Sequence, residues 1–297
     1  MTPPTWLHWP SASSAAWLPS DLADLQCWLD ASDDTTLFDA ATGGSLPANN
    51  GSIGRWEDKS GNDYHADDAV DASNTKITTA RPFRLTAEQN GLDAIGFNSD
   101  RMDHNSARGM LNNKSSALFV AVGKYGGSLT SFNFMWTHFN SNTTGFRAAL
   151  STASGGSGNF RILSRRQNSD TSGVAITSAA DTSWHVFMSF LDYTNGSAEF
   201  FIDGSSVGTG SYASSGNTDS TDLGTASNAG TTIGAFLRDG AGNSLTTGSR
   251  IGELICAAKA SGSYTTSDRE KLEGYLAHKW GLESNLPSTH PYKSSAP

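Results

Sequence analysis

Glu199 and Asp203 stand four residues apart in the run SAEFFIDG, the nearest approach in this chain to a pair of carboxylates on one strand. Glycoside hydrolysis needs two such groups flanking the scissile bond. Asp203, however, precedes Gly204, and an Asp-Gly step is a turn, so a catalytic pair is not expected there. Gly204-Ser205-Ser206-Val207-Gly208 has Gly-x-Ser-x-Gly spacing. A nucleophile elbow needs a strand before it and a helix after it, whereas here a hairpin turn precedes and a Gly/Ser-rich tract follows. The seven histidines stand singly, without His-Glu-x-x-His, and no Cys-x-x-Cys occurs, so no zinc site is expected. His185, beside Trp184, reads as a sheet residue. Asp30, Asp33, Asp34, Asp58 and Asn62 form two groups of hard oxygen donors, which suits calcium. The other reading of Asp30 and Asp58 is that they cap turns by accepting from nearby backbone N–H groups. Calcium on Asp30 and Asp58 is the one cofactor these residues suggest.

The elements around these residues are strands. Between Asp181 and Gly208, two runs rich in aromatic and branched residues flank Tyr193-Thr194-Asn195-Gly196, and a second hairpin turns at Asp203-Gly204. Further strands are expected over 91–102, 117–125, 132–139, 145–150 and 160–164, and in IGAFLRDG (233–240) and RIGELICAAK (250–259). Low-complexity tracts at 151–159 and 209–232 separate them, and neither repeats at a fixed period, which argues against a solenoid or propeller. One helix is predicted over 266–281. Ser267 and Glu270 have capping-box spacing, Leu272, Tyr275, Leu276 and Trp280 form an apolar stripe, and Gly281 suits the left-handed closing position. That stripe should pack on the sheets, with Trp280 and Tyr292 in structural roles.

Several phrases together resemble the laminin G-like and concanavalin A-like lectin/glucanase superfamily. They are the opening Trp28-Leu29-Asp30-Ala31-Ser32 and Trp56-x-Asp58-x-Ser60-Gly61-Asn62, the Trp184-His185 strand, the aromatic strand ending in Asp203-Gly204, and Ile251-Gly252-Glu253-Leu254. The closing Lys279-Trp280-Gly281-Leu282, Leu286-Pro287 and His290-Pro291-Tyr292 belong to the same pattern, which covers about Asp21 to the carboxyl terminus. The resemblance implies an all-β, two-sheet antiparallel β-sandwich of jelly-roll type over 21–297, with one C-terminal helix. It also implies that first and last strands pair, bringing Cys27 and Cys256 together either as buried free thiols or as a bridge. The Glu-x-Asp-x-x-Glu strand of the glucanases is absent. A glycan site in this fold uses an aromatic platform with polar side chains on the concave sheet or its rim. The candidates are Trp136 and His138, alternating on one face of FNFMWTHF, with Arg147 and Arg161 on nearby strands.

Composition narrows the partners. With 297 residues, 36% of them hydrophobic, and Gly, Ser, Thr, Asn and Asp between apolar runs, the chain has the makeup of one large β domain plus a short arm. A formal charge of -9 repels a phosphate backbone, and the sole basic doublet, Arg165-Arg166, reads as a solvated strand end, so nucleic acid is excluded. No run of eighteen apolar residues exists, so no membrane insertion is expected, and the amino terminus lacks the basic start of a secretory signal. Residues 1–20 hold no Asp, Glu, Lys or Arg yet carry Trp6, Trp9 and Trp17. This arm either packs back on its own domain or docks on a neighbouring subunit, where aromatic anchors are enriched. Phage-encoded members share the opening and closing phrases. The expectation is therefore a non-enzymatic virion surface protein, a head decoration or tail-fibre component present in multiple copies and touching cell-surface glycans. The alternatives are a carbohydrate-active enzyme or its binding module, and a purely structural cement.

Overall fold

A computed structural model describes residues 16–71, 73–127, 129, 132–140, 145–152, 158–166, 174–212, 230–236 and 244–297. The first half of the chain carries β1 (Leu25–Asp30), β2 (Leu37–Phe38), β3 (Arg55–Trp56), β4 (Ala66–Asp68), β5 (Phe83–Gln89), β6 (Leu92–Phe97), β7 (Met102–Asp103) and β8 (Ser116–Lys124). The second half carries β9 (Phe134–Asn140), β10 (Gly145–Thr152), β11 (Asn159–Ser164), β12 (Val174–Ala179), β13 (His185–Asp192), β14 (Ser197–Ile202), β15 (Ser205–Ser211), β16 (Gly230–Ile233) and β17 (Ser249–Lys259). Helix α1 (Thr266–Trp280) follows. One sheet runs β15-β14-β13-β8-β17-β6-β5 with β1 also on β17, and the other runs β12-β11-β10-β9-β16-β7-β4-β3-β2. All these pairings are antiparallel. The expected two-sheet β-sandwich with one C-terminal helix is the architecture found.

Local sequence explains the hairpins. Asp203 and Gly204, the two residues between β14 and β15, take φ of 50° and 76°, the double positive φ that suits the right-handed twist of adjoining strands. The run read as one strand over 91–102 is instead two, β6 and β7, in different sheets. The chain crosses at Asn98–Arg101, where Ser99 takes φ of 65°. β12 carried no clear signal, because Val174–Ala179 is short and its outward residues, Ala175 and Thr177, are small.

The core lies between the sheets, around Trp56, Phe97, Phe119, Trp136, Phe160, Phe187 and Phe200. A second apolar layer lies on the other face of the eight-stranded sheet, where α1 buries Leu272, Leu276 and Trp280 against Trp28, Val120, Trp184 and Ile255. β8 is thus covered on both faces, which is why it reads as an unbroken apolar run. β12 alternates buried and exposed, so at that edge the nine-stranded sheet turns one face to solvent. No helix among the described residues is long and apolar enough to cross a membrane.

Two sequence expectations shift. The helix is capped two residues earlier than Ser267: Thr265 accepts from the Asp268 backbone and Asp268 reaches back to Thr265. Both spacings exist in TTSDRE, and Tyr264, buried beside the helix with its hydroxyl on Ala23 O, sets where the chain enters. Gly281 closes the helix at φ 66°, as its position suggested. Arg165 and Arg166 are 1% and 3% exposed rather than solvated, and Arg166 donates to Tyr193 O at 2.9 Å. A flat guanidinium can lie against an aromatic ring, here Tyr212, while its N–H groups satisfy carbonyls. Cys27 and Cys256 are register partners of β1 and β17, and both are free, buried thiols.

Candidate ligand-binding face

Strand alternation sorts the nine-stranded sheet into a core face and an outer face. A register shift opposite Leu150 and Ser151 turns both Met135 and Trp136 inward and leaves Phe134 outside the core. One transverse row of the outer face then reads Phe134, Ser151, Arg161, Thr177, each the register partner of the next. Exposure rises along it: Phe134 and Ser151 are buried, Arg161 is partly buried and Thr177 is exposed. The guanidinium of Arg161 lies 4.6 Å from the Phe132 ring centroid, and its Nε donates to Ser151 Oγ at 3.4 Å. Phe132 stacks on Phe134 at 6.0 Å, Phe134 on Phe236 at 5.1 Å, and Phe236 meets Phe139 edge-on at 4.9 Å. Thr137 donates toward Phe236 O at 3.3 Å and so anchors the backbone that carries that ring. Burial lowers the pKa of Arg161 from its ordinary value. The arrangement is a strip of aromatic rings ending at a cation near an open sheet edge.

The sequence candidates fare unequally. Trp136 and His138 do share a face, but it is the inner one, and both are 0% exposed. Trp136 stacks on Phe119 at 4.0 Å and donates to His104 Nδ1, and His138 Nδ1 meets Thr231 Oγ1 at 2.9 Å. Neither can serve as a surface platform, because period-two alternation fixes which residues share a face but not which face meets solvent. Arg147 lies on β10, and its side chain falls outside the described residues. Arg161 alone of the four is placed on the outer face. The rings of Phe132, Phe134, Phe139 and Phe236 were missed, since phenylalanine in a strand signals packing far more often than binding.

Asp30 and Asp58 are occupied by protein donors. Asp30 takes Lys59 at 3.0 Å, Lys279 at 2.7 Å and Ser32 Oγ at 2.7 Å. Asp58 accepts from the backbones of Trp28, Ser60 and Tyr64 at 2.8–3.0 Å. A calcium ion would have to displace two ammonium groups from the first and three N–H donors from the second, so these residues do not fit the ion. Among the described residues no group of three or more His, Cys, Asp or Glu is arranged to hold a metal. The Trp56 to Asn62 phrase instead staples β1: Asn62 donates to Leu25 O and Gln26 O while Asp58 holds Trp28 N.

The catalytic alternatives are engaged in structural bonds. Glu199 accepts from Ser206 Oγ at 2.6 Å, and Asp203, on its turn, accepts from Val186 N and from His185 Nδ1 at 2.6 Å. The serines of the Gly-x-Ser-x-Gly stretch lie within strand β15 rather than on a strand-to-helix turn. His185 is gripped at both nitrogens, since Nε2 also meets Asp181 at 3.0 Å. Burial alone would lower its pKa, but the hydrogen bonds and charges of Asp203 and Asp181 outweigh burial and raise it.

A second polar assembly joins β1, β17 and α1. Glu253, 1% exposed, accepts from the indoles of Trp28 at 2.6 Å and Trp280 at 2.8 Å, and pairs with Lys279 at 2.8 Å. Burial and the charge of Asp30 raise its pKa against the pull of Lys279. Each oxygen is saturated beneath the helix, so this centre holds the fold together and offers no surface to a ligand. Of the three arm tryptophans, Trp17 rests edge-on against Tyr275 of its own helix at 6.0 Å, and Trp6 and Trp9 lie outside the described residues.

No protein-family model matches this chain, and no curated protein matches it. Solved structures do match in fold. A Trypanosoma rangeli sialidase bound to a difluoro-KDN aligns at TM-score 0.50 and 12% identity, over 86% of this chain and 33% of that one. Botulinum neurotoxin type C, described as entering cells through two ganglioside molecules, aligns at TM-score 0.49 and 12% identity, over 86% of this chain and 52% of that one. The Ruminococcus gnavus IT-sialidase CBM40 bound to α2,3 sialyllactose aligns at TM-score 0.43 and 14% identity, over 60% of this chain and 93% of that one. The chain thus spans about half of the toxin chain and a third of the sialidase chain. At 12% identity the sialidase likeness shows the fold alone, a two-sheet β-sandwich.

Proposed function

We propose that this protein is a non-catalytic glycan-binding module that presents the exposed β11–β12 edge of its nine-stranded sheet, with Phe132 and Arg161 beside it, to cell-surface sugars. The observation that carries this reading is the Phe134, Ser151, Arg161, Thr177 row, where an aromatic strip ends in a cation at the open edge of the sheet. Sugar rings present C–H faces that pack on aromatic side chains and hydroxyls that bond to polar ones, so this combination suits them. The engagement of Glu199 by Ser206 and of Asp203 by His185 argues against a hydrolytic pair. A glycan array probed with the purified chain tests the reading: binding that Phe132→Ala weakens supports it, and silence across the array rejects it. Polysaccharide cleavage lost on Glu199→Gln would establish the enzyme reading instead.

The setting we propose is a virion surface, with many copies anchored through residues 1–20. Its support is the likeness of the opening and closing phrases to phage-encoded domains. Cryo-electron microscopy of particles, with and without residues 1–20, tests it. Assembly unaffected by the deletion would remove the anchoring role.

A further inference from the structure

Arg161 contrasts with five other arginines in what it touches. Arg55, Arg81, Arg84, Arg250 and Arg269 each sit on a carboxylate. Arg161, partly buried, has Ser151 Oγ and the Phe132 ring as its neighbours, and among the described residues no carboxylate reaches it. This happens in a chain with a formal charge of -9, where acidic partners are plentiful. A cation drawn partly out of water without a counter-ion is costly, and its lowered pKa follows from that burial. A ring faces one side of its guanidinium, and on the other strand of that edge Ala175 and Thr177 are small and exposed.

Resting on the glycan-binding reading above, we infer that the ligand is an acidic sugar, a pyranose bearing a carboxylate, and that Arg161 is the residue that selects it. The carboxylate meets the guanidinium fork while the apolar face of the ring lies along Phe132. Charge-assisted bonds to a guanidinium favour the acid over a neutral sugar of the same shape, and the contrast is greater here because Arg161 is already partly desolvated.

The test uses matched probes on the full chain: 3′-sialyllactose against lactose, and a glucuronate-containing tetrasaccharide against its carboxyl-reduced form, by calorimetry at two salt concentrations. The expected result is binding of at least one acidic probe about ten-fold or more tighter than its neutral counterpart, weakening with salt. Arg161→Gln should remove that preference, so that on this variant the acidic probe binds no more tightly than its neutral counterpart. Arg161→Lys, which keeps the charge but loses the fork, should restore part of it. Melting curves of both variants confirm that they fold. Neutral and acidic probes bound equally, with Arg161→Gln silent, would overturn the acidic-sugar inference and leave glycan binding standing. Failure of every probe to bind would overturn both.

Discussion

Glu253 shows how much one buried residue can organise. Two indoles and an ammonium converge on its carboxylate, so the first strand, the last strand and the helix share a single acceptor. Removing it leaves Lys279 and both indole N–H groups without that partner in a dry site. Glu253→Ala is expected to cost about 3–5 kcal/mol, read from urea denaturation midpoints. His185 gives a pH signature of its own. Its native pKa is raised above the ordinary 6.5 by Asp203 and Asp181, so its stabilising contribution is complete below about pH 6.5 and is lost as pH rises through the native value. Unfolding free energy measured from pH 5 to 9 should carry this decline in the native chain, and His185→Gln should flatten it. An unchanged slope in the variant would mean that the Asp-His-Asp cluster does not titrate as described.

At the scale of elements, α1 is held to the eight-stranded sheet by close approach as well as by burial. Gly252 lies under Trp280: a Cβ there would stand 2.5 Å from the indole Cη2, closer than side chains tolerate. This glycine coincides with the register shift between Ile251 and Glu253 in the pairing of β17 with β8. Gly252→Ala is expected to lift the helix from the sheet and cost about 1–3 kcal/mol, the usual range for overpacking. The melting temperature reports it, and Trp280 fluorescence should shift to longer wavelength as the ring gains water. A substitution tolerated without either change would show that the indole is less tightly seated than its contacts indicate.

For the whole molecule, the first strand pairs with the last, and the two cysteines mark that pairing. Cys27 and Cys256 face each other across it, fully buried, and burial raises both thiol pKa values. A thiol that is both inaccessible and protonated is inert. In native conditions neither should react with a thiol-specific reagent over hours, and in strong denaturant both should. Reaction of either thiol in the folded protein would indicate that the β1 and β17 pairing opens locally, before the rest of the sandwich.

Period-two runs, turn residues and the capping-box and Gly281 spacings determined that this chain makes antiparallel strands and one terminal helix, because those signals act over a few residues and need no distant partner. The Trp56 to Asn62 phrase and the Ile251 to Leu254 strand were visible as motifs for the same reason. What they do was not visible: Asp58 staples β1, and Glu253 receives Trp28 from more than two hundred residues away. Only tertiary structure decided which face of each strand meets the core. It sent Trp136 and His138 inward and left Arg161 and Phe132 on the outer face, since alternation is symmetric until a second sheet covers one side. It also decided which charges found partners. Asp30 and Asp58 were taken up by lysines and backbone N–H groups, whereas Arg161 was left facing an open sheet edge, and pairing across a fold depends on proximity that sequence spacing does not encode.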